Sequence, residues 1–72
     1  MIMYRATLYK IGSNEDKWIA QIVAPREWAM PYMYGYLHCK ENTDNMTIRS
    51  VSETVISVTI NDNSYEIRLE TI

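Results

Sequence analysis

The adjacent His38 and Cys39 are the only histidine and the only cysteine of the chain, and together they could act as base and nucleophile. The alternating pattern around them predicts a strand, in which neighbouring side chains point to opposite faces. The histidine could then not activate the thiol. One cysteine and one histidine also fall short of the four ligands of a structural zinc site. We therefore expect a half-buried cysteine, a surface or interface histidine and no metal site.

The acidic residues and the glycines form no other catalytic pattern. Glu66 and Glu70 are predicted to share a solvated strand face. The two glycines are isolated in the sequence, whereas a phosphate-binding loop needs several close together. The polar stretches 41–45 and 61–64 lack the central glycine of a calcium loop. These observations predict a protein that is not an enzyme and needs no cofactor.

The unusual feature of the composition is aromatic: six tyrosines and two tryptophans occur without a phenylalanine. Tyrosine joins a large apolar ring to a hydroxyl that tolerates water, which suits a surface that is exposed alone and buried in a complex. Residues 26–36 concentrate the residue types that are enriched at interfaces. The predicted partner-binding residues are Arg26, Trp28, Met30, Tyr32, Tyr34 and Tyr36. The alternative, that these rings build the core, stays open at this point.

Two alternating segments near the C-terminus, 54–60 and 65–71, flank the turn-forming residues 61–64. This pattern predicts a β-hairpin. One face of the hairpin is apolar and the other carries charged residues. The apolar face comprises Thr54, Ile56, Val58, Ile60, Tyr65, Ile67 and Leu69, and the charged face Glu66, Arg68 and Glu70.

A second hairpin is predicted from the alternating segments 2–11 and 17–24, which are separated by a polar break that contains Gly12. Apolar residues on both faces of 17–24 favour a central position in the sheet. The next segment, 25–31, fits either a short helix or a structured loop, and Pro31 is expected to end any helix there.

Residues 32–40 alternate again and predict a strand with three tyrosines on one face and Met33 and Leu37 on the other. If Met33 and Leu37 face the core, the tyrosine row is exposed, and an exposed apolar patch usually marks a contact site. A polar turn is expected at 41–45. The segment 46–60 fits either one bent strand or two short strands.

The whole chain of 72 residues therefore predicts one all-β domain, residues 1–72. We expect a small antiparallel barrel or sandwich of five to six short strands, with room for one helical turn near residues 26–30. A domain this small buries little surface, so a homodimer is an alternative to a monomer.

Charge and targeting signals narrow the choice of partner. The seven basic residues are scattered singly and the net charge is −2, which argues against a nucleic-acid binder. One cysteine, no signal peptide and no apolar run of membrane length favour a cytosolic protein that does not contact a membrane.

The leading functional hypothesis is a non-enzymatic protein-binding module. It would act as a small inhibitor or adaptor of the type that phages and mobile elements encode, for example by blocking a host defence protein. The alternative is binding of single-stranded nucleic acid or a nucleotide by stacking on the same tyrosines. The second alternative is a purely structural homodimer subunit.

Overall fold

The computed structural model describes residues 2–40 and 45–72, which form five antiparallel strands and one helix. The elements are β1 (Tyr4–Ile11), β2 (Asp16–Ala24), α1 (Arg26–Lys40), β3 (Met46–Ser50), β4 (Val55–Ile60) and β5 (Asn63–Thr71). The strands lie in the order β2-β1-β5-β4-β3. The predicted all-β class with five to six short strands is therefore confirmed, but the strands form one open sheet rather than a closed barrel or a sandwich of two sheets. The sheet is open, with edges at β2 and β3, and α1 packs against β1 and β2.

The C-terminal hairpin forms as predicted, because β4 and β5 pair from Val55↔Arg68 to Ile60↔Asn63. Asn61 takes a φ of 54°, a left-handed conformation that asparagine tolerates and a two-residue turn requires. The side chains predicted for the apolar face of the two strands point to the core, except that of Thr54, which precedes β4 and is exposed. Those that are buried are Ile56, Val58, Ile60, Tyr65, Ile67 and Leu69.

The N-terminal hairpin of β1 and β2 is also confirmed, with a register shift between Leu8 and Tyr9. β1 pairs with β5 along its whole length and so joins the two hairpins into one sheet. The predicted central position of β2 is wrong, since β2 is an edge strand. Its apolar residues Trp18 and Val23 stay exposed instead of being covered by another strand.

The segment 46–60 contains two strands rather than one bent strand. β3 and β4 pair as a hairpin, from Met46↔Ile60 to Ser50↔Ile56. The side chain of Ser52 holds the turn, because its Oγ accepts hydrogen bonds from the backbone N–H groups of Thr54 (3.3 Å) and Val55 (3.1 Å). The polar turn predicted at 41–45 lies, except for Asn45, outside the described residues.

The main correction concerns residues 26–40. A helix begins at Arg26, in the segment where a short helix was one of two expectations. It does not end at Pro31 but continues to Lys40. The predicted strand over 32–40 is therefore wrong. Proline inside a helix removes one hydrogen bond and costs about 3 kcal/mol. Full burial of Met33 and Leu37 offsets that cost, because each contributes about 1.5–3 kcal/mol. Packing against the sheet therefore decides the conformation.

In the part of the chain that the structure describes, no helix has the length and apolar character needed to cross a membrane.

Candidate functional site: the outer face of α1

The first turn of α1 fixes which side of the helix faces the sheet. The carbonyl oxygen of Pro25 accepts hydrogen bonds from the backbone N–H groups of Trp28 (3.0 Å) and Ala29 (2.9 Å). From Ala29, the apolar positions recur every four residues, at Met33 and Leu37, and all three side chains are buried. At 3.6 residues per turn, these positions form one continuous stripe.

The opposite side of the helix carries Trp28, Tyr32, Gly35 and Cys39, which we call the outer face of α1. All four residues are exposed. Trp28 keeps 71% and Tyr32 46% of its surface accessible to solvent. Because they are four residues apart, their side chains are neighbours on the helix surface. A tryptophan and a tyrosine thus form a joint aromatic surface that nothing in the described chain covers.

Gly35 extends this surface without a side chain. A Cβ at Gly35 would meet no heavy atom within 4 Å, and its φ is not in the left-handed region. Neither packing within the chain nor backbone conformation therefore requires a glycine here. A glycine in a helix costs about 1 kcal/mol relative to alanine, and what it provides is close access to the helix backbone from outside.

Three of the six predicted binding residues lie on the flanks of α1 rather than on its outer face. Met30, Tyr34 and Tyr36 are partly buried and pack against the core. Burial raises the pKa of Tyr34 above its ordinary value, and the nearby charge of Arg26 lowers it by a smaller amount. The three tyrosines do not form one row, because helical rather than strand geometry turns Tyr34 away from Tyr32.

Arg26 has a structural contact at the start of the helix. Its Nη1 donates a hydrogen bond of 3.0 Å to the backbone carbonyl of Glu53, in the turn between β3 and β4. This contact ties the helix to the far side of the sheet. Trp28 and Tyr32 are therefore the predicted site residues that remain most available to a partner.

The helix also changes the relation of His38 and Cys39. Both are exposed, and a helix separates consecutive side chains by about 100° instead of placing them on opposite faces. The predicted half-burial of Cys39 is wrong. No cluster of three or more potential metal ligands occurs within the described ranges.

The sheet face away from α1 is charged, and the ionic groups near Arg68 are paired with one another. Arg68 donates hydrogen bonds to Asp16 (2.8 Å) and Glu66 (2.9 Å), and its guanidinium lies over the ring of Tyr9 at 4.3 Å from the centroid. The charged face that the hairpin pattern predicted for Arg68 and Glu66 is thus present. Because its charges compensate one another, it offers little to an ionic ligand.

One cavity was not predicted from the sequence. It has a volume of about 330 Å³ and lies between the turn end of the β1–β2 hairpin and the last turn of α1. Lys10, Lys17, Trp18 and Lys40 line it. The predicted hairpin could have indicated that Lys10 and Lys17 meet, since both flank its turn. Lys40 could not be placed there while 32–40 was interpreted as a strand.

Comparisons of the chain with protein-family models, with curated proteins and with solved structures find no match.

Proposed function

We propose that this chain is a non-enzymatic protein-binding module and that the outer face of α1 is its contact surface. The observation that carries the proposal is the exposure of Trp28 and Tyr32 at neighbouring positions of a helix that packs against the sheet. Tryptophan and tyrosine are the residue types that most often dominate binding energy at interfaces. Large aromatic side chains that are exposed at neighbouring positions are uncommon on a surface without a partner.

The size of the surface indicates how a partner would engage it. The chain exposes 4874 Å² in total, and an interface of ordinary size covers about 800 Å² on each partner, or about one sixth of that surface. The 15 residues of α1 span about 22 Å, which is long enough for a partner to contact Trp28 at one end and Cys39 near the other. Gly35, between them, lets the partner approach the helix backbone.

The proposed occupant is a different protein with an apolar groove, and the chain would act by covering that groove as a small inhibitor or adaptor. A host defence protein blocked by a phage or mobile-element product is one example of such a pairing. The proposal includes a cytosolic location, which the presence of only one cysteine, Cys39, supports.

The test is affinity capture from native lysate with paired variants. W28S/Y32S removes both aromatic side chains, and removing one interface residue of this kind typically weakens binding by about 2 kcal/mol or more. I48S/V51S is the matched control, because Ile48 and Val51 are similarly exposed but lie on β3 and in the turn that follows it. Thermal melts show whether each variant is folded.

We expect one protein to be captured by the wild type and by I48S/V51S and to be lost with W28S/Y32S. Equal capture by W28S/Y32S contradicts the proposal, as does the absence of any specifically captured protein. Self-association in analytical ultracentrifugation that W28S/Y32S abolishes would assign the outer face of α1 to a homodimer instead.

A further inference from the structure

The chain has three lysines, and all three line the same cavity. Lys10 lies on β1 and Lys17 on β2, directly opposite one another in the pairing of the two strands. Lys40 is the last residue of α1 and reaches the cavity from the helix side. Two strands and a helix thus bring together lysines that are far apart in the sequence.

This arrangement concentrates positive charge. Within residues 2–40 and 45–72, no acidic side chain lines the cavity, and the salt bridges use arginines rather than lysines. Like charges directly opposite on paired strands are destabilising. The facing pair Lys10 and Lys17 would be relieved by an anion placed between them, and Lys40 adds a third positive charge.

Aromatic rings complete the lining. Trp18 contributes to the lining and is 56% exposed, but it pairs with Tyr9 and therefore belongs to the sheet face away from α1. Tyr36 lies on the helix side, where the ammonium of Lys40 is 5.2 Å from the centroid of its ring. The ring of Tyr36 beside Lys40 can stack on a planar group while the ammonium groups bind an anion attached to it.

The volume of about 330 Å³ is at the lower end of the range for small-molecule pockets. It suits one small ligand. A nucleic-acid strand would need a continuing basic groove. Two of the arginines are instead paired with acids on the opposite face of the sheet, Arg5 with Glu70 and Arg68 with Asp16 and Glu66.

We infer that this cavity binds a mononucleotide. Its phosphate, which carries about −1.5 to −2 charges at neutral pH, would lie among Lys10, Lys17 and Lys40, and its base would stack on Tyr36. Lysine is a common phosphate ligand, acting as a point charge. This site is separate from the outer face of α1, and the inference does not depend on the proposed function.

Tryptophan fluorescence can test the inference in the full-length chain. W28F removes the second of the two tryptophans, so that the emission reports on Trp18 alone. The probes are adenosine 5′-monophosphate, adenosine and inorganic phosphate. We expect saturable quenching by the monophosphate, with adenosine and phosphate each binding about tenfold more weakly because each supplies half of the contacts.

The lysine variants separate a site from a general effect of charge. In the W28F background, K10Q and K17Q should each weaken binding by about five- to tenfold. R49Q is the matched control, because it removes one positive charge on β3, at the other edge of the sheet, and should change binding less than about twofold.

Three results would overturn the inference. The first is the absence of saturable quenching by the monophosphate at concentrations up to about 5 mM. The second is an equal effect of R49Q and K17Q. The third is binding of a short oligonucleotide with a 5′-phosphate while the monophosphate does not bind, which would replace a single-nucleotide site by a strand-binding surface.

Discussion

Replacing Gly35 by alanine tests the conformation and the surroundings of α1 together. A Cβ at this position meets no atom within 4 Å, so the alanine methyl group would project into solvent. Gly35 lies inside a 15-residue helix and has no positive φ, so alanine fits its backbone conformation without strain. The substitution therefore removes only the conformational freedom of glycine in the unfolded chain.

The expected gain follows from helix propensity. Alanine is favoured over glycine inside a helix by about 1 kcal/mol, and in a domain of this size that amount raises the melting temperature by about 4–8 °C. Circular dichroism melts of G35A and wild type would measure the shift. Partner capture should weaken at the same time, because the new methyl group lies where the proposed partner approaches the backbone.

Gly12 supplies the matched control. A Cβ at Gly12 would lie 2.6 Å from the backbone carbonyl oxygen of Glu15, so the turn between β1 and β2 would have to shift. We expect G12A to be destabilised by about 1 kcal/mol or more. A lower melting temperature for G35A than for wild type would refute the reasoning, because it would mean that a neighbour fills the space beside Gly35.

Two further predictions concern α1. P31A should raise the midpoint of urea unfolding by an amount equivalent to about 1–3 kcal/mol, because alanine restores the backbone hydrogen bond to the carbonyl of Glu27. An unchanged midpoint would contradict a continuous helix. Burial raises the pKa of Tyr34, so the folded chain holds this proton to higher pH than the unfolded chain does. The resulting stability is complete below the unfolded pKa of about 10 and is lost as pH rises through the higher folded pKa. As pH rises above about 10, Y34F should therefore lose less stability in urea titrations than wild type does. Y32F, which changes an exposed tyrosine, is the control and should behave like wild type. Equal losses in all three proteins would be evidence against the burial of Tyr34.

The sheet could be predicted because its strands follow one rule. In β4 and β5 the alternation of side chains matches the burial of Ile56, Val58 and Ile67, and turn residues such as Asn61 separate the strands. What the pattern could not provide was the order of strands. The position of β2 depends on which strand pairs with the other edge of β1. That strand is β5, from the far end of the chain, so β2 is left at the edge of the sheet.

The helix was missed because residues 29–37 satisfy two periodicities. Tyr32, Tyr34 and Tyr36 alternate like a strand, while Ala29, Met33 and Leu37 recur every four residues like a helix. Tyrosine favours strands and Pro31 opposes a helix, so local propensity supported the wrong interpretation. The open face of the sheet decided the outcome, because α1 packs Ala29, Met33 and Leu37 against it as one buried stripe.

The same ambiguity limited the site. Trp28 and Tyr32 were predicted as contact residues from their types, and they lie together on the outer face of α1. Whether Tyr34 and Tyr36 lie beside them depends on whether the segment forms a helix or a strand. In the helix, both tyrosines pack on the flanks of α1.

The most direct test of the contact surface uses Cys39, the only cysteine, which is exposed on the outer face of α1. A photo-crosslinker attached to this thiol should form an adduct with the captured partner. The control carries C39S and T47C, which moves the crosslinker to β3 on the opposite face of the sheet. The account predicts an adduct from Cys39 and none from the control. An adduct from the control alone would show that the partner binds elsewhere.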